Sequence, residues 1–132
     1  MGKLAGKQFN LNYMTLNQHA EFKRNNLIKK LVSNSRAIIS NQIALPLGVK
    51  KMNMIISWIA HIEPIGNINL TVFKEYMSET GNLPLGSERL HYNPEFLKLQ
   101  DEQLDRITIR FKAEVIDKCF EIIKNYADPI SG

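Results

Sequence analysis

The sequence predicts an all-α protein, a single-domain antiparallel bundle of four to five helices. Three observations carry this. Apolar residues recur at three- and four-residue spacing through most of the chain. The five prolines fall at the edges of the periodic segments, where a missing N–H is harmless. The one alternating stretch, Gln8–Tyr13, has no second strand pattern to pair with. At 132 residues, 44% hydrophobic and 23% charged, the chain is one ordinary globular domain.

The elements follow in order. Gly2, Gly6, Asn10 and Asn12 break up residues 1–14, which read as a flexible leader, with Phe9, Leu11 and Tyr13 available to dock; residues 15–132 form the helical domain. Thr15 is a plausible N-cap, and Phe22, Leu27, Leu31, Ile38 and Ile39 mark a helix over about Leu16–Ser40. Pro46 suits the first turn of a second helix with Val49, Met52, Ile55, Ile56 and Ile59 as its stripe. Met54, Trp58 and Ile62 widen that stripe, so the helix should lie mostly buried. The run Glu63–Asn67 ends it. Asn69 can cap a short third helix to about Met77, presenting Leu70, Phe73 and Tyr76 or Met77 inward. Gly81, Pro84 and Gly86 then make a loop. Asn93-Pro94 repeats the cap-then-proline signature and opens the longest segment, with Leu97, Leu104, Ile107, Phe111, Val115, Cys119, Ile122 and Tyr126 on one face. Ile109, Ile116 and Ile123 form a second stripe, and Asp128-Pro129 stops the helix.

Composition narrows the function. One cysteine, Cys119, excludes a disulfide framework and a Cys-rich zinc site; on the apolar stripe it should pack as a small hydrophobe. The longest run without a charge, Ala37–Val49, is too short for a bilayer and contains Pro46. No apolar h-region follows the N-terminal lysines, so a cytoplasmic protein without membrane contact is expected. The net charge of +4 is uneven: +6 over residues 1–40, zero over 41–100 and −2 over 101–132. The basic first third permits an alternative reading, a nucleic-acid module using Lys23, Arg24, Lys29 and Lys30, but it lacks the interleaved aromatics that stack on bases.

Catalytic chemistry is hard to find. His19, His61 and His91 are scattered, with no i, i+4 ligand pair, and His61 suits the end of the second helix as a favourable cation. No nucleophile elbow, Walker loop or dinucleotide fingerprint occurs. Glu75 with Glu79, and Asp101 with Asp105, are i, i+4 carboxylate pairs, more commonly structural charges than metal ligands or acid–base groups. No enzyme, cofactor or metal is expected.

The distinctive segment is Ser78-Glu79-Thr80-Gly81-Asn82-Leu83-Pro84-Leu85-Gly86-Ser87-Glu88-Arg89. It resembles the S-E-T-D-x-L-P-x-G-x-x-R signature of an uncharacterised family of small bacterial helical proteins. Tyr92, Leu97 and Asp101-Glu102 hold the positions that follow, Arg36–Ile43 and Gly48 resemble the upstream stretch, and Val115 and Cys119 the downstream ending. Gly81 replaces the usual Asp, Asn41 a usual Gly, and Tyr92 the usual Trp. The resemblance implies a small stand-alone protein of the kind that serves as an immunity partner of secreted toxins, including those of contact-dependent growth inhibition. Its partner would be a cognate toxin domain such as a nuclease, occluded at its active site.

Physically, Ser78, Glu79, Thr80, Pro84, Gly86 and Arg89 read as a structural staple. Pro84 stiffens the turn, Gly86 permits a positive φ, and Arg89 can fork onto a carboxylate such as Glu79, which can also accept from loop N–H groups. The expected partner surface is Glu88, Asp101, Glu102 and Asp105, with Asp101 and Asp105 on one helical face, set to meet a toxin's basic groove.

Overall fold

Periodicity, prolines and caps place four α-helices, and a computed structural model contains them in that order. It describes the backbone of residues 2–127 and the side chains of residues 17–127. Helix α1 spans Gly2–Ile39, α2 Leu45–Ile62, α3 Thr71–Thr80 and α4 Pro94–Tyr126, with a 3-10 helix over Gly86–His91 before α4. The fold is all-α, and no strand occurs among the described residues.

Helix α1 begins far ahead of Thr15. The segment read as a leader continues the same helix back to Gly2, because it holds no proline and its glycines and asparagines only lower helix propensity. The docking expected of Phe9, Leu11 and Tyr13 lies outside the described side chains. Asn41, at φ 61°, turns the chain after α1, and asparagine is the non-glycine residue that best tolerates this left-handed conformation. Pro46 occupies the first turn of α2 as expected. Helix α3 runs to Thr80, so Ser78, Glu79 and Thr80 form its last turn rather than a loop. Thr80 is buried, and its hydroxyl donates back to the Tyr76 carbonyl at 2.9 Å. Asn69 sits one residue ahead of the α3 N-cap, Leu70, yet its side-chain oxygen still accepts from the Thr71 N–H at 3.0 Å.

The helices run up, down, up, down, each against its sequence neighbour. Asn53 of α2 donates to the Phe73 carbonyl of α3 at 2.9 Å. The Tyr76 hydroxyl meets Thr108 of α4 at 2.8 Å, and its ring meets Phe111 edge-on. Helix α4 closes the ring against α1, with Cys119 beside Ser35 and the Asp105–Lys112 turns beside Ile38. Leu31, Met52, Ile55, Ile59, Phe73, Tyr76, Val115 and Ile122 are fully buried between the four helices. This is the core the stripes predict.

Several residues on those stripes are exposed rather than core. Phe22 is 67% exposed, with no neighbouring helix covering it among the described residues, and Met54 and Trp58 lie on the outward side of α2. The α2 stripe is therefore narrower than its apolar residues imply. Of the second α4 stripe, Ile109 is exposed and Ile116 and Ile123 are half-buried.

Two small-residue contacts set the helix spacing around α1. On one side, Gly48 of α2 faces Ile38, and a Cβ at position 48 would lie 2.6 Å from Ile38 Cγ1. Buried Asn34 donates to the Gly48 carbonyl at 2.9 Å across the same seam. On the other side, Ser35 and Cys119 are both fully buried, and the Ser35 hydroxyl donates to Leu31 O at 2.8 Å.

Burial pushes the Cys119 thiol up to about 11, partly opposed by the Ser35 hydroxyl beside it. A thiol so protonated and enclosed is a packing residue. A thiol reagent should modify it only as fast as the protein unfolds. The folded pKa is raised, so the folded state holds the proton longer. Stability is intact below about pH 8.5, the unfolded thiol's pKa, and declines as pH rises toward 11. Tyr76, raised mainly by burial, titrates with the same sign. Urea midpoints measured at pH 7, 9 and 10.5 should fall in that order, and Cys119→Ala should flatten the decline.

Candidate functional site

The connection from α3 to α4 is built by local polar contacts. Leu83 and Pro84 are buried, anchoring the loop to the bundle. Gly86 adopts φ 65°, as its place after Pro84-Leu85 predicts, and starts the 3-10 helix. Glu88 accepts from the Leu85 N–H at 2.7 Å and secures that turn. Asn93 caps α4, its side-chain oxygen accepting from the Phe96 N–H at 2.7 Å, with Pro94 next in sequence.

Arg89 does not pair with Glu79. Its guanidinium forks onto Asp101, donating at 2.6 and 2.8 Å to the two carboxylate oxygens. The 3-10 helix carries Arg89 over the first turns of α4, whereas Glu79 on α3 faces across to Arg110, with which it forms an ion pair. Arg110 also lies over the Phe111 ring, 5.3 Å from its centroid. The staple role passes to Arg89–Asp101, and each i, i+4 carboxylate pair has one member bound to an arginine. Among the described residues, no group of three or more His, Cys, Asp or Glu is placed to hold a metal ion.

The hydrogen bonds from Arg89 hold the Asp101 carboxyl below its ordinary value and raise the Arg89 guanidinium in return. A depressed carboxyl contributes stability that is present above about pH 4 and lost as pH falls through the folded pKa. Asp101→Asn should therefore lower the thermal midpoint modestly at pH 7 and by less near pH 2, because acid protonates the wild-type carboxylate progressively. Equal losses at both pH values would show that the pair contributes by shape alone.

Of the four residues expected to form the partner surface, the structure leaves two free. Glu88 caps the 3-10 helix and Asp101 holds Arg89. Glu102 and Asp105 are exposed and make no ion pair among the described residues. Asp105 borders a cleft of about 230 Å³ shared with Ile38, Asn41 and Lys112, so it looks toward α1 while Asp101 looks toward Arg89. The expectation of one shared acidic face for the two aspartates gives way to two directions.

Four large apolar side chains in the same stretch of chain are exposed. Leu90 is 86% exposed and Leu99 63% exposed. Tyr92 and Phe96 are exposed and stack on one another, ring centroids 5.2 Å apart at 20°. Pre-stacked rings are already ordered, which lowers the conformational cost of presenting them to a partner. The signal was present in the sequence. Leu99 falls off the side of α4 on which Leu104 and Ile107 meet the core, Phe96 lies one turn before it, and Tyr92 precedes the helix. Between residues 88 and 105 five carboxylates stand against two basic groups, so the segment that exposes these apolar residues is net acidic.

No described helix is long and apolar enough to cross a membrane. Comparison with family models, curated proteins and solved structures finds no match for the chain.

Proposed function

We propose that the chain is an immunity-type protein that binds a cognate secreted toxin domain, a nuclease, and occludes its active site in the cytoplasm. The observation that supports this reading is the surface at the start of α4. Leu90, Tyr92, Phe96 and Leu99 are exposed in a stretch of chain, residues 88–105, that also carries exposed Glu88, Glu95, Glu102 and Asp105. Protein interfaces concentrate their energy in aromatic and aliphatic anchors, and their charged rims steer encounter. A net acidic segment fits the basic groove in which a nuclease holds its phosphodiester substrate. A binding role of this kind uses no catalytic constellation.

The test is calorimetry with the toxin domain encoded beside this gene, paired with protection of cells that express it. The wild-type chain should bind at nanomolar Kd. Phe96→Ser with Leu99→Ser should weaken binding at least about 100-fold, as loss of interface anchors does, without lowering the thermal midpoint. Glu102→Lys with Asp105→Lys should mainly slow association. These two replace the Asp101 and Asp105 pair as the charge test, since Asp101 is tied to Arg89. Wild-type affinity no tighter than micromolar, or full protection by the Phe96/Leu99 variant, would overturn the proposal.

A further inference from the structure

A second surface, sharing no residue with the start of α4, lies along the seam of α1 and α2. Lys30 and Ser33 of α1, Gln42 of the turn, and Lys51, Met54 and Trp58 of α2 line a groove of about 630 Å³. Lys30, Lys51, Met54 and Trp58 are all exposed, Trp58 by 45%.

The charged residues that line this groove, Lys30 and Lys51, have one sign. From Phe22 to Ile62 the chain contains no carboxylate and seven basic residues, Lys23, Arg24, Lys29, Lys30, Arg36, Lys50 and Lys51. Arg24 is engaged within the fold, its Nε donating to the Glu63 carbonyl at 2.7 Å where α2 ends, so it leaves the set of cations free for a ligand. The rest lie exposed on α1 and α2. A mixed-charge protein interface interleaves both signs; a surface with cations alone matches a polyanion. Between Lys23 and Arg36 helix α1 has no aromatic, and the fold supplies one by setting Trp58 of α2 in the same groove as Lys30 of α1.

We propose that this groove binds single-stranded nucleic acid, with a base stacked on Trp58 and the flanking phosphates on Lys30 and Lys51. Base stacking on an exposed aromatic beside lysines is how single strands are held without reading sequence. A duplex keeps its bases stacked on one another and offers none to the indole, so a single strand is the ligand that can use it. Gln42 and Ser33 offer hydrogen bonds to base edges or phosphate, while Asn34 is already committed to the Gly48 carbonyl. A bilayer would want a convex apolar face flanked by lysines, whereas here the apolar residues line a hollow with polar neighbours.

Trp58 is the sole tryptophan, so its fluorescence reports on this groove directly. Titration with oligo-dT and oligo-U of about twelve nucleotides at about 50 mM salt should quench it. The two oligomers distinguish DNA from RNA, and quenching by either supports the site. Lys30→Gln with Lys51→Gln should weaken binding at least 10-fold and make the salt slope shallower by roughly 1.4, about 0.7 for each lost phosphate contact. Trp58→Leu, followed by anisotropy of a labelled oligomer, should weaken binding at least 10-fold and leave the salt slope unchanged. All three side chains are exposed, so the variants should fold, and circular dichroism would verify it. Absence of quenching, unchanged affinity in the lysine variant, or equal binding of polyglutamate or of phosphatidylserine vesicles would each overturn the proposal.

Discussion

Phe73→Ala should cost about 3–5 kcal/mol, the range for emptying a buried aromatic site. Phe73 is fully enclosed in the first turn of α3, the shortest of the four α-helices, with Ile55, Ile59 and Tyr76 also fully buried in the same core. A ten-residue helix has too few intrahelical bonds to persist alone, so α3 is held by packing. Its polar ties, Asn53 to the Phe73 carbonyl and Tyr76 to Thr108, depend on the ring keeping α3 seated. Against a total stability of about 5–15 kcal/mol for an ordinary domain, the loss is large. Urea denaturation measures it. Phe22→Ala is the matched control: an exposed ring whose loss should stay within about 0.5 kcal/mol. Similar losses for the two would mean that Phe73 is not the keystone of α3.

Gly48→Val should cost about 3 kcal/mol, the upper end for overpacking a close seam. The first added carbon already falls 2.6 Å from Ile38 Cγ1 and 3.2 Å from Ile43 Cγ2. Ile38 is itself buried and cannot swing clear, so α1 and α2 must separate and stretch the Asn34 bond to the Gly48 carbonyl. Gly48→Ala should cost less, because the clash is partly offset by about 1 kcal/mol of helix propensity. Trimming the obstacle should relieve the strain: Ile38→Ala combined with Gly48→Ala should be more stable than the sum of the single losses by at least about 0.5 kcal/mol. Additive losses would show that the two positions do not share the seam.

The start of α4 was legible because its code is local: asparagine followed by proline supplies both the cap acceptor and a preset φ. Helix α2 and the buried half of α4 were legible for a related reason, since helical spacing decides which residues share a face. Spacing cannot say how much of that face another helix covers. Phe22 and Trp58 continue their stripes correctly yet are exposed, because among the described residues neither is covered by a neighbouring helix. The partner of Arg89 illustrates a second limit. Glu79 and Asp101 lie at similar distances along the chain, and the choice between them is made by a 3-10 helix with little sequence signature. The Lys30–Trp58 groove joins residues from two helices, so neither helix read alone reveals it.

The closure of α4 against α1 has a kinetic consequence. Three of the four helix pairings in the ring join elements adjacent along the chain, and each can form after a short search. The fourth brings Cys119 back to Ser35 across most of the chain, so it carries the greatest loop-closure entropy. Contacts of that kind tend to be made after the folding barrier, once the α1–α2 and α3–α4 hairpins have paired. The seam that completes the bundle then acts mainly as its latch: enlarging Ser35 or Cys119 should accelerate unfolding while leaving the folding rate nearly untouched.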